Sequence, residues 1–316
     1  MYAQALENQF AQEVRAGLTR AGQKTISCRY LYDDVGSALF EAITRLPEYG
    51  LTRADARLLA RHAQEIVAGV PGRVVLVELG SGSGAKTRPI LKQLGARQQD
   101  VVYYPIDVSA AALQRCAREL EPLATIVPLE ENYLDGLEQV AEQRSPGETL
   151  LLLFLGSTIG NFELEAAMAF LGDVRAQLLP GDALLLGTDL VKPAGQMLVA
   201  YDDPAGVTAA FNRNLLSRIN RELDADFDLS QFEHEARYDE GAQRIEMHLR
   251  SCRRQTVTIH KAGIAVEFLP GETIWTEASH KFRPEQIAAI ARAACFRLER
   301  QWIDCEWPFA ENLLRA

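Results

Sequence analysis

The chain has 316 residues, of which 33 are basic and 43 acidic, for a net charge of -10. With 47% hydrophobic and 24% charged residues the composition is ordinary for a globular protein and excludes a disordered chain. At roughly 150 residues per domain, the length predicts about two domains, or one with a large insertion. The acidic balance excludes a sequence-independent nucleic-acid binder, which needs a basic footprint for the phosphates.

At the N-terminus, Met1 to Gly22 mixes Glu7 and Glu13 with Arg15 and Arg20, without the basic start and apolar core of a signal peptide. The longest purely apolar runs, Leu150 to Leu155 among them, fall far short of the roughly 20 residues that span a bilayer. Both features predict a cytoplasmic protein without membrane partners. From Met1 to about Gly69 the pattern is helical, interrupted by a loop-like centre from Ser27 to Thr52.

Between Val74 and Thr188 short apolar runs alternate with helical stretches, the pattern of a parallel sheet covered on both faces. Strands are predicted at Val74–Leu79, Val101–Ile106, Leu150–Leu155 and Ala183–Gly187, with a weaker one at Ala124–Pro128. Helices are predicted near Lys86–Leu94, Ala110–Leu120 and Glu163–Leu179. This order predicts a doubly wound α/β domain. A helix follows around Pro204–Leu223, with Phe211, Leu215, Ile219 and Leu223 repeating every four residues. An antiparallel meander is then predicted over Arg244–Leu249, Thr256–Ile259, Ile264–Phe268 and Thr273–Ser279. A helix over Pro284–Cys295 and strands at Phe296–Asp304 and Trp307–Leu314 complete a seven-stranded sheet. The predicted domains are 1–69, a helical segment joined to a late insertion at 192–281, and 70–191 with 282–316, the sheet domain.

The strongest motif is Glu78-Leu79-Gly80-Ser81-Gly82-Ser83-Gly84, at the end of the first sheet strand. Glycines there let the backbone turn tightly and approach a ligand at the carboxyl edge, where open α/β sheets bind nucleotides. The GxGxG spacing, with an acid two residues before the first glycine, favours S-adenosylmethionine (SAM) over NAD. Asp107, 27 residues beyond Gly80, suits a ribose diol, and Asn132 and Tyr133 suit the edge and face of an adenine. Asn161, in Gly156-Ser157-Thr158-Ile159-Gly160-Asn161, is on spacing alone either a substrate contact or the N-cap of the following helix. Glu277 and Ser279 share a strand face by period-two alternation and can together grip a small polar group, although alone an exposed face is the ordinary reading. The five cysteines are scattered without a CxxC pair, and the five histidines show no ligand spacing. Neither a disulfide framework nor a metal site is expected.

Longer blocks carry a resemblance. Tyr32-Asp33-Asp34-Val35-Gly36-Ser37-Ala38-Leu39-Phe40, Ile43-Thr44-Arg45-Leu46-Pro47-Glu48-Tyr49, the glycine motif, Phe154 to Asn161, Leu186 to Lys192 and Phe211-Asn212-Arg213-Asn214 resemble the L-histidine Nα-methyltransferases of ergothioneine biosynthesis, nearly end to end. The resemblance implies a class I, Rossmann-like, SAM-dependent methyltransferase with a second α+β substrate-binding domain. It implies that Gly80, Gly82, Lys86, Asp107, Asn132 and Tyr133 hold SAM and that Tyr32 sits near the transferring centre. Tyr49, Asn161 and Tyr201 would hold the amino-acid end of histidine, with Glu277, Ala278 and Ser279 at its imidazole. Tyr32, Tyr49 and Asn161 would position the amine without any covalent nucleophile. The substrates implied are histidine and its mono- and dimethylated forms, turned over by a monomer. Asn132 stands where the family usually carries aspartate, and Gly50-Leu51 and His280 also depart from its commonest forms. Three rivals remain: the same chemistry on another amine such as tryptophan, a non-catalytic SAM-binding sensor, and an NAD-linked dehydrogenase, which the GxGxG spacing disfavours.

Overall fold

The computed structural model describes residues 2–316, with side chains from Glu7 onward; Met1, the start of the predicted N-terminal segment, lies outside the described residues. The chain divides into two compact units, a smaller one of Met1–Gly50 with Lys192–His280 and a larger one of Leu51–Val191 with Lys281–Ala316.

The smaller unit opens with α1 (Tyr2–Thr19), β1 (Lys24–Thr25) and α2 (Asp34–Ile43). The loop-like centre predicted from Ser27 to Thr52 therefore contains a helix, preceded by a 3-10 turn at Cys28–Leu31. Its polar start had read as a turn because Asp33 is the N-cap, with its carboxylate accepting from the Gly36 amide at 2.7 Å.

The larger unit begins with α3 (Leu51–Gly69), then β2 (Arg73–Leu79), α4 (Arg88–Arg97), β3 (Val102–Asp107), α5 (Ala110–Leu120), β4 (Thr125–Ile126), β5 (Leu129–Glu130), α6 (Tyr133–Gln143), β6 (Glu148–Phe154), α7 (Leu164–Ala176) and β7 (Ala183–Asp189). The chain then returns to the smaller unit with α8 (Ala194–Tyr201), α9 (Val207–Leu223) and β8 (Phe232–Asp239). There follow β9 (Arg244–Ser251), β10 (Gln255–Ile259), β11 (Ile264–Phe268) and β12 (Thr273–His280). The larger unit closes with α10 (Pro284–Ala293), β13 (Arg297–Ile303) and β14 (Phe309–Arg315).

The predicted boundary at residue 69 shifts. Helix α3 lies in the larger unit, burying Leu58, Leu59 and Ile66 while it packs on α4 and β14. Periodicity reveals an apolar helix face but not which sheet that face will cover. Helix α6 and strand β8 were not predicted. Strand β8 escaped because Glu233, Glu235, Arg237 and Asp239 load it with charge.

The sheet of the larger unit runs β13-β14-β7-β6-β2-β3-β4, with β5 also paired to β3. Pairing is parallel from β7 through β4 and antiparallel at β14 and β13. The expected seven strands thus appear as seven positions. The last is split, since β4 pairs with Val102 and Tyr103 and β5 with Ile106 and Asp107. Pro128, lacking an N–H, lies at the break. Val75, Val77, Leu79, Leu150, Leu152, Phe154, Leu184 and Leu186 form one core with residues of α6, α7 and α10. Alternation turns Val74, Leu76, Leu151, Leu153 and Leu185 to the other face. Each such side chain, fully buried, contributes about 1.5–3 kcal/mol. The chain runs outward from β2 to β3 and then returns to β6 on the other side, so the switch point, where open α/β sheets bind ligands, lies between β2 and β6.

In the smaller unit the predicted meander separates into a four-stranded sheet, β1-β12-β9-β8, and a β10-β11 hairpin. Phe211, Leu215, Ile219 and Leu223 of α9 are all buried, as the four-residue repeat required. Among the described residues no helix is long and apolar enough to cross a membrane.

Candidate functional site

In the larger unit the glycine loop follows β2 at the switch point. Gly80, Gly82 and Gly84 all have left-handed φ values, of 71°, 53° and 66°, which side chains resist. The Gly80 amide donates to the Ile106 carbonyl at 2.8 Å, which fastens the loop to β3. A Cβ at Gly84 would stand 2.6 Å from Cys116 Sγ, whereas one at Gly82 would meet nothing within 4 Å. Gly84 is thus dictated by packing and Gly82 faces open space.

Asp107, at the end of β3, accepts from the Gly82 amide at 2.9 Å and the Ser109 amide at 3.0 Å, so its carboxylate is oriented by the loop it would serve. Tyr133 opens α6, with its ring against Phe154 and Phe170 and its hydroxyl 3.2 Å from where a Gly80 Cβ would stand. Asn132 is the N-cap of α6; its Oδ1 accepts from the amides of Leu134 and Asp135 at 3.1 and 3.0 Å. Asparagine caps as well as the aspartate usual there. Its carbonyl is thereby bonded to the helix end.

Beneath the loop Glu78 is buried, accepting from Thr87 Oγ1 and Tyr103 Oη, each at 2.5 Å. Burial pushes its carboxyl up to about 7, against the pull of those two donors. Lys86 is no ordinary surface charge: its Nζ donates to Asp55 Oδ2 at 2.5 Å. Burial would lower the ammonium, but the carboxylates of Asp55, Glu78 and Glu311 outweigh it and raise its pKa.

Asn161 ends a 3-10 turn at Thr158–Asn161, while α7 starts after Glu163. Its capping alternative therefore falls away. Its half-buried side chain makes no hydrogen bond among the described residues.

The smaller unit gathers the other expected substrate residues. Tyr32 packs edge-on against Phe40 and Phe211, Phe40 against Tyr49, and Tyr49 against Tyr201, at centroid distances of 5.5, 5.5, 6.3 and 6.1 Å. Tyr201 Oη donates to Ser279 Oγ at 2.7 Å, where both are buried. Glu277 and Ser279 lie on β12 opposite Met247 and Ile245 of β9, beyond a bulge at Thr276. They are 9% and 4% exposed, so the exposed-face reading does not hold. Ala278 between them is also buried.

Sequence reasoning missed the residues that brace this cluster. Asn214 Nδ2 donates to Asp33 Oδ1 at 2.7 Å, joining two of the quoted blocks. Asn212, fully buried, accepts from Thr276 Oγ1 at 2.7 Å and lies 2.9 Å from His234 Nδ1. His234 Nε2 lies 2.8 Å from the Tyr201 carbonyl, and burial holds its pKa below the usual value. The Phe211-Asn212-Arg213-Asn214 block was the available signal for both asparagines. His234 carried none.

The fit to SAM can be tested on the loop itself. Ser81 Oγ is buried with no hydrogen-bond partner among the described residues, and such a group calls for a ligand or water. Beside it lie the open face of Gly82 and the oriented Asp107 carboxylate. These residues fit a nucleoside-bearing cofactor. With a sheet of this order, they define the chain as a class I SAM-dependent methyltransferase.

The chain belongs to the histidine-specific, SAM-dependent methyltransferase family, whose sequence model matches residues 10–316. It is 43% identical to the histidine N-alpha-methyltransferase of Mycolicibacterium smegmatis over 302 residues, 96% of this chain and 93% of that protein. It is 29% identical to ergothioneine biosynthesis protein 1 of Schizosaccharomyces pombe over 85% of this chain and 36% of that longer protein. The solved CcbJ methyltransferase from Streptomyces caelestis superposes with a TM-score of 0.48 at 14% identity, over 90% of this chain and 99% of its own.

Proposed function

We propose that this methyltransferase places three methyl groups in succession on the α-amine of L-histidine, giving the betaine hercynine, the first step of ergothioneine biosynthesis. The buried Tyr49–Tyr201–Ser279 contact beside Glu277 carries this reading, since a SAM-binding sensor needs no second polar pocket. The 43% identity to the mycobacterial enzyme supports it. The site residues follow the family resemblance: Tyr32, Gly80, Gly82, Lys86, Asp107, Asn132 and Tyr133 for the cofactor, and Tyr49, Asn161, Tyr201, Glu277, Ala278 and Ser279 for histidine.

Bound SAM supplies a methyl group activated by its sulfonium charge. The chain's own task is then alignment. Tyr32, Tyr49 and Asn161 position the amine, which attacks in its neutral form. A free α-amine has a pKa near 8, so the proton leaves to water or a nearby polar group. Each transfer forms an N–C bond as the C–S bond breaks, and the last leaves a fixed positive charge on nitrogen. The faces of Tyr32, Tyr49 and Tyr201 suit that cation, since aromatic rings attract quaternary ammonium groups. Glu277 accepts an imidazole N–H and so selects histidine. An indole can also donate one N–H, but unlike an imidazole it cannot take up a proton and become a cation beside a buried carboxylate. The proposed state is a monomer in the cytoplasm; five free cysteines suit a reducing compartment.

The experiment is mass spectrometry of purified protein incubated with SAM and each common amino acid. Histidine alone should gain up to three methyl groups, and Glu277→Ala should abolish that preference. Methylation of tryptophan or another amine instead would overturn the substrate, and cofactor binding without any transfer would favour the sensor.

A further inference from the structure

Beneath the loop that follows β6, the larger unit buries more acid than base. Asp55 and Glu311 are both 0% exposed, and Lys86 is the cation beside them. Asp55 Oδ2 accepts from Lys86 Nζ at 2.5 Å and also from the Gly156 amide at 3.1 Å. Gly156 opens the loop that ends in Asn161. A Cβ there would stand 3.2 Å from Lys86 Nζ, so the two groups are already in contact range.

The loop itself needs support. Gly156 and Ser157 have φ values of 69° and 60°, and a left-handed non-glycine residue persists only where its surroundings hold it. Two bonds to groups outside the loop do so: the one from the Gly156 amide to Asp55, and one from the Asp189 amide to Ser157 Oγ at 2.8 Å. Asp55 Oδ1 and both carboxyl oxygens of Glu311 have no donor among the described residues. Burial and the neighbouring Asp55 carboxylate push the Glu311 carboxyl well above its ordinary range, which favours a proton on Glu311 that Asp55 can accept. Glu311 also stands against Gly187, where a Cβ would lie 3.2 Å from Oε1 and 3.1 Å from the Gly156 nitrogen. A cluster of buried ionisable groups costs stability relative to an apolar core, and here it sits at the carboxyl edge beside the switch point, where function resides.

We propose that Asp55 is a positioning residue for methyl transfer. It locks the Lys86 ammonium to the Gly156 amide, so that the cofactor contact and the Asn161-bearing loop are held as one piece, and Glu311 caps it. This rests on the reading of Lys86 as a cofactor contact.

The test is a double-mutant cycle on binding of S-adenosylhomocysteine to the full chain, with Asp55→Asn, Lys86→Met and the pair. Losing a charge-assisted hydrogen bond predicts that Asp55→Asn weakens binding about tenfold in the native background and less than about twofold once Lys86 is methionine. Asp55→Asn should also raise the KM for the amine substrate more than it lowers kcat. Glu311→Gln, whose amide replaces the shared proton, should stay within about twofold of the native protein in both readouts. Glu311→Leu deletes the cap but spares Asp55. It should lose about threefold with the same non-additivity, and decides the question if Asp55→Asn does not fold. Losses that simply add would overturn the role of Asp55. Native affinity in Lys86→Met would instead overturn the reading of Lys86, and the inference with it.

Discussion

Asp33 joins three parts of the smaller unit, so replacing it is a direct measure of how that unit holds its tyrosines. Its Oδ1 caps α2 through the Gly36 amide and accepts from Asn214 Nδ2, both at 2.7 Å, and Oδ2 accepts from Arg221 Nη2 at 2.6 Å. An N-cap is worth about 1 kcal/mol and a side-chain hydrogen bond about 1 kcal/mol. The bond to Arg221, whose side chain is 50% exposed, is worth about 0.5 kcal/mol after screening. Asp33→Ala therefore removes about 2–3 kcal/mol. For a unit of this size that lowers Tm by about 6–10 °C in a calorimetric scan. Asp33→Asn keeps Oδ1 as cap and acceptor and loses mainly the Arg221 bond, for a drop of about 1–2 °C. Burial alone would raise the Asp33 carboxyl, but the Gly36 amide, Arg221 and Asn214 outweigh it and hold it below its ordinary value. Its contribution is therefore complete above about pH 4 and is lost as pH falls through the folded-state value. An Asp33→Ala protein within 2 °C (about 0.5 kcal/mol) of native, or an Asn variant as damaged as the Ala one, would refute this accounting.

Two further predictions concern the larger unit. Glu78, raised to about 7 from 4.5, binds its proton more tightly folded than unfolded. It should therefore cost stability progressively as pH rises from about 4.5 through 7, by about 3 kcal/mol in all. Glu78→Gln should flatten that decline in denaturant midpoints measured at pH 5 and pH 8, and parallel profiles for the two proteins would count against it. The two glycines should separate packing from binding. Gly84→Ala, which would push a Cβ to 2.6 Å from Cys116 Sγ and 2.7 Å from Leu120 Cδ1, should lose at least about 2 kcal/mol of stability. Gly82→Ala meets open space and should cost only about 1 kcal/mol of backbone strain while weakening S-adenosylhomocysteine at least about tenfold by calorimetry. Unchanged affinity in Gly82→Ala would show that the open face is not ligand space.

What could be read in advance followed from period and punctuation. The continuous apolar runs of β2, β6 and β7 and the glycine loop were legible because parallel strands are buried on both faces and only glycine tolerates the turns. Seven strand positions could be counted without coordinates. Charged strands such as β8 were invisible: Glu233, Glu235, Arg237 and Asp239 fill one face, and the other, Phe232, His234, Ala236 and Tyr238, is too weakly apolar to mark a strand. Helix α2 was lost because a cap and a turn use the same residues, Asp33 and Gly36. Asp55 on α3 could not be singled out, since one acid in an amphipathic helix normally faces water. Glu311 offered more, as an acid within Phe309-Ala310-Glu311-Asn312-Leu313-Leu314, but only the pairing of β14 with β7 places it against Gly187. That Glu277 and Ser279 share a strand face was legible from alternation, and their candidate role only from the family resemblance. Their burial was not, because a strand's two faces look alike until something covers one of them.

Strand β14 is inserted between β13 and β7, and Asn312 Nδ2 donates to the carbonyl of Leu186, 126 residues earlier. At translation rates of roughly 5–20 residues per second, about 6–25 s pass between synthesis of the two partners. During that interval β7 has one open, apolar edge, and most of the smaller unit is being made. A nascent chain is thus exposed to edge-to-edge association until its final strand arrives. Yield in a heterologous host should depend on chaperone capacity and growth temperature more than on the thermodynamic stability of the finished protein.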